Sequence, residues 1–215
     1  MDQNQLDQLR EQYHDYFAIE QAVLANIKPL PTPLPTEDFF LTMIPEPFRM
    51  ASEQATLDRS ALKALSQLGD MAEDLAVYLR SQAKKLDMLM RYLLIQQDDP
   101  TYRRHTDSFG GSALNFFSEQ PLAAGQTLEV KLFLNGTDGA VYFLTTVLDS
   151  VLREQEPATT DTSEPQQQPA AQYLIQSVVS RIRDEDREVL VRASLHEQSR
   201  QLKTKARLRQ SQGNV

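Results

Sequence analysis

Nine positions spaced alternately by three and four residues constrain this chain more than anything else in it: Leu65, Leu68, Ala72, Leu75, Leu79, Gln82, Leu86, Leu89 and Leu93. That spacing is a heptad a/d series with a mean period of 3.5, which predicts a long helix in a left-handed supercoil. No proline falls between Pro47 and Pro100. The predicted helix covers 53–98 and spans roughly 70 Å at the usual rise per residue. The flanking e and g positions carry Gly69, Ala76, Ala83 and Met90, and Ala64, Met71, Tyr78, Lys85 and Tyr92, so Lys85 alone supplies the kind of charge a two-stranded coil usually carries there. The apolar stripe is therefore wide, and each helix touches more than one neighbour. A trimer, a tetramer or a bundle with the N-terminal helix all satisfy it, as does an intramolecular hairpin in which residues 3–27 cover the stripe. Those residues are too few to cover all of it, which favours self-association. Gln82 at a d position then sets register.

The segment before this helix is expected to form an N-terminal helix over 3–27, from Leu6, Leu9, Tyr13, Phe17, Val23, Leu24 and Ile27. Four prolines in KPLPTPLPTE make a stiff connector to residue 52. Residues 38–44, FFLTMI at their centre, read either as a short helix capped by Thr36 or as a strand before Pro45.

After Pro100 the period changes. SALNFF (112–117), TLEVKLFL (127–134), AVYFLTTVLDSVLRE (140–154) and QYLIQSVVSRI (172–182) read as strands, with hairpin-grade Asn135-Gly136 and Asp138-Gly139 between two of them. Residues 154–171 are rich in Pro, Gln, Thr and Glu and are expected to be a disordered loop. A last helix starts near Asp184, and 201–215 form a basic tail. The predicted class is α+β: a small, closed or nearly closed antiparallel β-barrel over 99–200 with a C-terminal helix, plus the long heptad helix.

Composition narrows the chemistry. The chain has no cysteine, which excludes disulfides and thiolate catalysis and fits a reducing, cytoplasmic setting. A net charge of −8 disfavours general nucleic-acid binding. No apolar run approaches the roughly 18 residues that span a bilayer, so no membrane insertion is expected. His14, His105 and His196 lie in separate segments with no HExxH, GxSxG or ligand spacing around them, so neither a catalytic residue, a metal nor a cofactor is predicted. The one stretch with binding chemistry is TYRRHTDSFGGSALNF (101–116). Arg103 and Arg104 carry guanidinium groups suited to phosphate and purine faces. Asp107, Ser108 and the backbone at Gly110 and Gly111 supply further polar groups. The alternative is a charged turn whose arginines pair with nearby acids.

The order of TDSFGG before SALNFF, then PLAAGQTLEVKLFL, a pair of longer strands and RDEDREVLVRASLHEQSR resembles the PilZ domain family over about residues 100–200. That resemblance implies a small β-barrel with a C-terminal helix and the bacterial messenger cyclic di-GMP as possible ligand. The family signature is RxxxR followed by D/NxSxxG. Ser108 and Gly111 match its second half, Thr106 departs from it, and RxxxR is missing; Arg49 has no second arginine four residues on. The heptad helix is similar to that of an atypical tetrameric subgroup, which forms a parallel coiled coil, lacks the ligand motif and carries its long helices as an insertion near the start of the barrel. A parallel insertion would make 38–44 the first barrel strand. The resemblance thus implies a homo-oligomeric signalling adaptor, tetramer favoured, acting on an unidentified protein partner in motility, adhesion or virulence without the usual ligand clamp. The alternative is a direct cyclic di-GMP receptor through Arg103, Arg104, Asp107, Ser108 and Gly111.

Overall fold

A computed structural model of the chain describes residues 3–13, 16–50, 73–134, 139–153 and 172–212. Its centre is an antiparallel sheet closed on itself. Strands β2 (Leu24–Pro29), β3 (Arg103–Phe109), β4 (Ala113–Ser118), β5 (Thr127–Phe133), β6 (Ala140–Arg153) and β7 (Gln172–Ile182) run in the order β3-β2-β5-β6-β7-β4. The β3–β4 pairing closes the ring, and a two-residue strand, β1 (Ile19–Glu20), adds to the far end of β3. Closure removes the exposed edges that short strands otherwise leave. The architecture is α+β, a six-stranded barrel followed by a helix, as expected.

Alternation explains the filling. Leu128, Val130 and Leu132 of β5 and Val141, Phe143 and Val147 of β6 point into the barrel with Ala25, Ile27, Leu114 and Ile175. The opposite faces of the same strands are also covered. Phe133, Ala140, Tyr142 and Leu144 form a second cluster outside the barrel with Phe40, Ile44, Phe48 and Leu94. The run AVYFLTTVL is apolar at successive positions because both faces of β6 are buried. Each fully buried Phe or Leu in this outer layer contributes about 1.5–3 kcal/mol.

Among the described residues, helices α1 (Gln3–Tyr13), α2 (Glu37–Met43) and α3 (Glu73–Gln97), with the helical residues 46–50, precede β3 in the chain, and α4 (Asp184–Gln212) follows β7. The helical insertion lies between β2 and β3, so it does interrupt the barrel sequence. Several expectations need correction. The helix predicted over 3–27 stops at Tyr13, and residues 19–20 and 24–29 are strands. Ile19, Val23 and Ile27 are β-branched, and a six-residue segment fits the helical and strand periods equally well. Residues 38–44 are not the first barrel strand: Glu37–Met43 are helical, with Thr36 at the N-cap accepting Phe40 N–H through its backbone carbonyl at 2.9 Å. The first ring strand is β2, so the barrel domain begins well before residue 99. Residues 201–212 continue α4 instead of forming a separate tail. The 154–171 loop, the 135–138 turn, and Leu65, Leu68 and Ala72 lie outside the described residues.

Candidate functional site

The stretch RRHTDSF is strand β3 itself, not a loop leading into one. Its polar sequence hid it, since Thr106 and Ser108 are buried hydroxyl residues that bond within the sheet. Thr106 Oγ1 donates to Gln21 O at 2.6 Å and accepts Val23 N–H at 3.0 Å, tying β3 to the chain before β2.

Strand geometry separates the two arginines, because adjacent side chains on a strand point to opposite faces. Arg103 Nη2 donates to Ile95 O at 2.6 Å, with a longer contact to Asp98 O at 3.5 Å. These are carbonyls at and just beyond the end of α3, groups a helix terminus leaves open, so Arg103 acts as a C-terminal cap. Arg104 Nη1 donates to Arg103 O at 2.7 Å and Thr101 O at 3.1 Å. Both guanidinium groups therefore serve neighbouring carbonyls.

The other predicted residues are brought together, but with partners the sequence did not suggest. Tyr13 OH, from α1, donates to Asn115 Oδ1 at 2.7 Å. Asn115 Nδ2 donates to Ser108 Oγ at 2.9 Å, and Ser108 Oγ donates to Asp107 Oδ2 at 3.3 Å. Burial pushes the Tyr13 phenol above its ordinary range; the Asn115 bond works the other way and the Asp107 carboxylate adds to the rise. Asp107 sits at a register shift between Thr106 and Ser108, where its carbonyl accepts Gln21 N–H at 3.0 Å. Such a bulge re-aims a side chain out of the ladder. Gly111 O accepts Arg187 Nη1 at 2.7 Å, which ties the glycine turn to α4. Neither glycine of the pair has a positive φ. Their requirement is space: a Cβ on Gly110 would lie 2.1 Å from Phe17 O, and one on Gly111 would lie 2.7 Å from Val191 Cγ2.

The second candidate surface is α3. Its last turns are fastened to the barrel. Leu94 is buried in the outer cluster, with Met90 and Ile95 packed against it. Arg91 Nη2 donates to Phe133 O at 3.3 Å, Lys131 Nζ pairs with Asp98 Oδ1 at 2.5 Å, and Asn26 Nδ2 donates to Asp99 O at 2.8 Å. The heptad positions face away from this joint. Leu75, Leu79, Leu86, Leu89 and Leu93 are 39–60% exposed, and Gln82 lies among them half-buried. α1 does not cover this stripe. Its Leu6 packs with Leu148 and Val178 on the barrel, which removes the hairpin arrangement for the described residues.

Among the described residues no three His, Asp or Glu side chains converge as a metal site, and no helix is long and apolar enough to cross a membrane. No family model matches the chain, and no curated protein matches it. Among solved structures it is similar to a pathogenic protein from Xanthomonas campestris with a tetrameric PilZ domain self-assembled through a helical bundle, at 16% identity and a TM-score of 0.47, over 93% of this chain and 97% of that one.

Proposed function

We infer that this chain is a PilZ-like signalling adaptor without enzymatic activity, which assembles through α3 and presents several barrels to a protein partner at once. The observation that carries this reading is the row of exposed leucines on a helix that precedes β3 and whose last turns are fastened to the barrel. A soluble chain rarely leaves so continuous an apolar row uncovered. Presenting several barrels on one bundle raises apparent affinity without new contacts. Four copies is the number the sequence resemblance implies, with cytoplasmic signalling linked to cyclic di-GMP as its setting.

Within this reading the adaptor works without the usual ligand clamp. Support comes from Arg103 and Arg104, which lie on opposite faces of β3 and donate to carbonyls of their own chain. Titration calorimetry of the full chain with cyclic di-GMP is the test: flat heats are expected. Micromolar binding lost in Arg103→Ala/Arg104→Ala would replace the adaptor reading by the receptor reading.

A further inference from the structure

The C-terminal helix α4 changes character halfway along. Val189, Leu190 and Ala193 pack into the barrel core, with Asp186, Ser194 and Glu197 buried beside them. The last fastenings are Arg200, whose Nε pairs with Glu197 Oε2 at 2.8 Å, and Gln201, whose Nε2 donates to Glu20 O at 2.8 Å. Beyond Gln201, every described side chain as far as Arg209 is exposed. This free half carries one sign of charge. Residues 200–209 hold Arg200, Lys203, Lys205, Arg207 and Arg209 and no acid, which leaves 17 cationic against 30 acidic residues, a net −13, in the rest of the chain. Lys203 with Arg207, and Lys205 with Arg209, stand at i and i+4, where like charges destabilise a helix. None of these four pairs with an acid among the described residues. One face of α4 joins this charge to an apolar row. Val191, Leu195, Gln198, Leu202, Lys205 and Arg209 are spaced alternately by four and three, the seam of a helix that packs along another helix. Val191, Leu195 and Leu202 are all exposed.

We propose that this open face of α4 docks an acidic, leucine-bearing helix of a partner protein, its leucines against Val191, Leu195 and Leu202 and its carboxylates against Lys205 and Arg209. Charge complementarity carries the choice of occupant: an acidic helix relieves the repulsion between the free cations and supplies the acids that α4 lacks. A second copy of α3 does not meet that need, because its leucine row and the positions flanking it hold no Asp or Glu between Leu75 and Leu93. A lipid surface favours cations flanking an apolar stripe along its whole length, whereas here the apolar residues and the free cations follow one another. Four free cations on a chain otherwise at −13 make a small footprint for nucleic-acid phosphates. The docking rests on the adaptor reading only in needing a protein partner, and it uses a different helix from the one that assembles the copies.

The probe is a fluorescein-labelled synthetic helix of about three heptads, with Leu at a and d and Glu at e and g, whose like charges keep it from pairing with itself. It is titrated by anisotropy against the full chain, Leu195→Gln/Leu202→Gln and Lys205→Glu/Arg209→Glu. The wild type should bind it, more weakly as salt rises, and each variant should bind it at least about tenfold more weakly. The charge-reversed variant should instead bind the same peptide built with Lys in place of Glu. Hydrogen exchange of amides 202–209 in the wild type should slow when the Glu peptide is added. No binding by the wild type, equal affinity for all three proteins, or unchanged exchange overturns the proposal. So does tighter binding of the wild type to phosphatidylglycerol vesicles or to duplex DNA than to the peptide, which would assign the face to a membrane or a nucleic acid. A chain that sediments as a monomer yet binds the peptide through α4 refutes assembly and leaves this docking standing; an assembled chain that ignores the peptide refutes the docking alone.

Discussion

Replacing Arg103 by alanine separates a structural arginine from a ligand clamp. The side chain is half-buried, and its one short bond, 2.6 Å to Ile95 O, joins the end of α3 to the start of β3. A hydrogen bond from a charged donor contributes about 1.5–3 kcal/mol. The contact to Asp98 O at 3.5 Å adds little. Ile95 O lies in the last turn of its helix, where water replaces part of the lost donor, so a net cost of ~2 kcal/mol follows. For a chain of this size that lowers the melting midpoint by ~4–8 °C. Urea denaturation followed by circular dichroism reads the same loss as a lower midpoint with an unchanged slope. Arg103→Lys keeps a donor but loses the planar fork and should recover only part of the loss. An Arg103→Ala protein within ~0.5 kcal/mol of wild type would refute the capping role. If that protein had also lost binding to cyclic di-GMP, Arg103 would be a ligand residue.

Two further outcomes follow from the same geometry. Gly110→Ala should cost ~3 kcal/mol or more, because its Cβ would collide with Phe17 O, whereas Gly139→Ala, at φ 73° with open space around it, should cost only about 1 kcal/mol in thermal melts. The raised phenol of Tyr13 stabilises the folded state fully below the unfolded tyrosine pKa of about 10 and loses that contribution as pH rises beyond it. The wild type should therefore lose more stability than Tyr13→Phe between neutral pH and pH ~11, and equal losses would refute the link.

What could be read from the sequence followed the length and regularity of its patterns. The heptad leucines Leu75, Leu79, Leu86, Leu89 and Leu93 are exposed, as are Val77, Tyr78, Met88 and Tyr92 beside them, while Ala76 is buried, so a long regular row was legible where its surroundings were not. Strands β5, β6 and β7 showed their periodicity or their β-branched runs. β1 and β2 did not, since six residues cannot distinguish a period of two from one of 3.6, and their partners in β3 and β5 lie about a hundred residues away in places. β3 was misread for another reason: its inward positions Thr106 and Ser108 are hydroxyls satisfied by the backbone near Gln21 and by Asn115, so a buried strand looked like a polar loop. The pairing of Tyr13 with Asn115 left no local signal, because 102 residues separate them.

The most direct measurement is sedimentation equilibrium of the full chain beside Leu86→Asn/Leu89→Asn. These leucines are 53% and 60% exposed, so burying the remainder in an assembly yields about 1 kcal/mol for each in every chain. The wild type should sediment as an oligomer of the 24.5 kDa chain, with four copies favoured, and the variant as a folded monomer of 24.5 kDa with a nearly unchanged melting midpoint. A monomeric wild type at micromolar concentration, or a variant with the mass of the wild-type assembly, would contradict assembly through this face of α3.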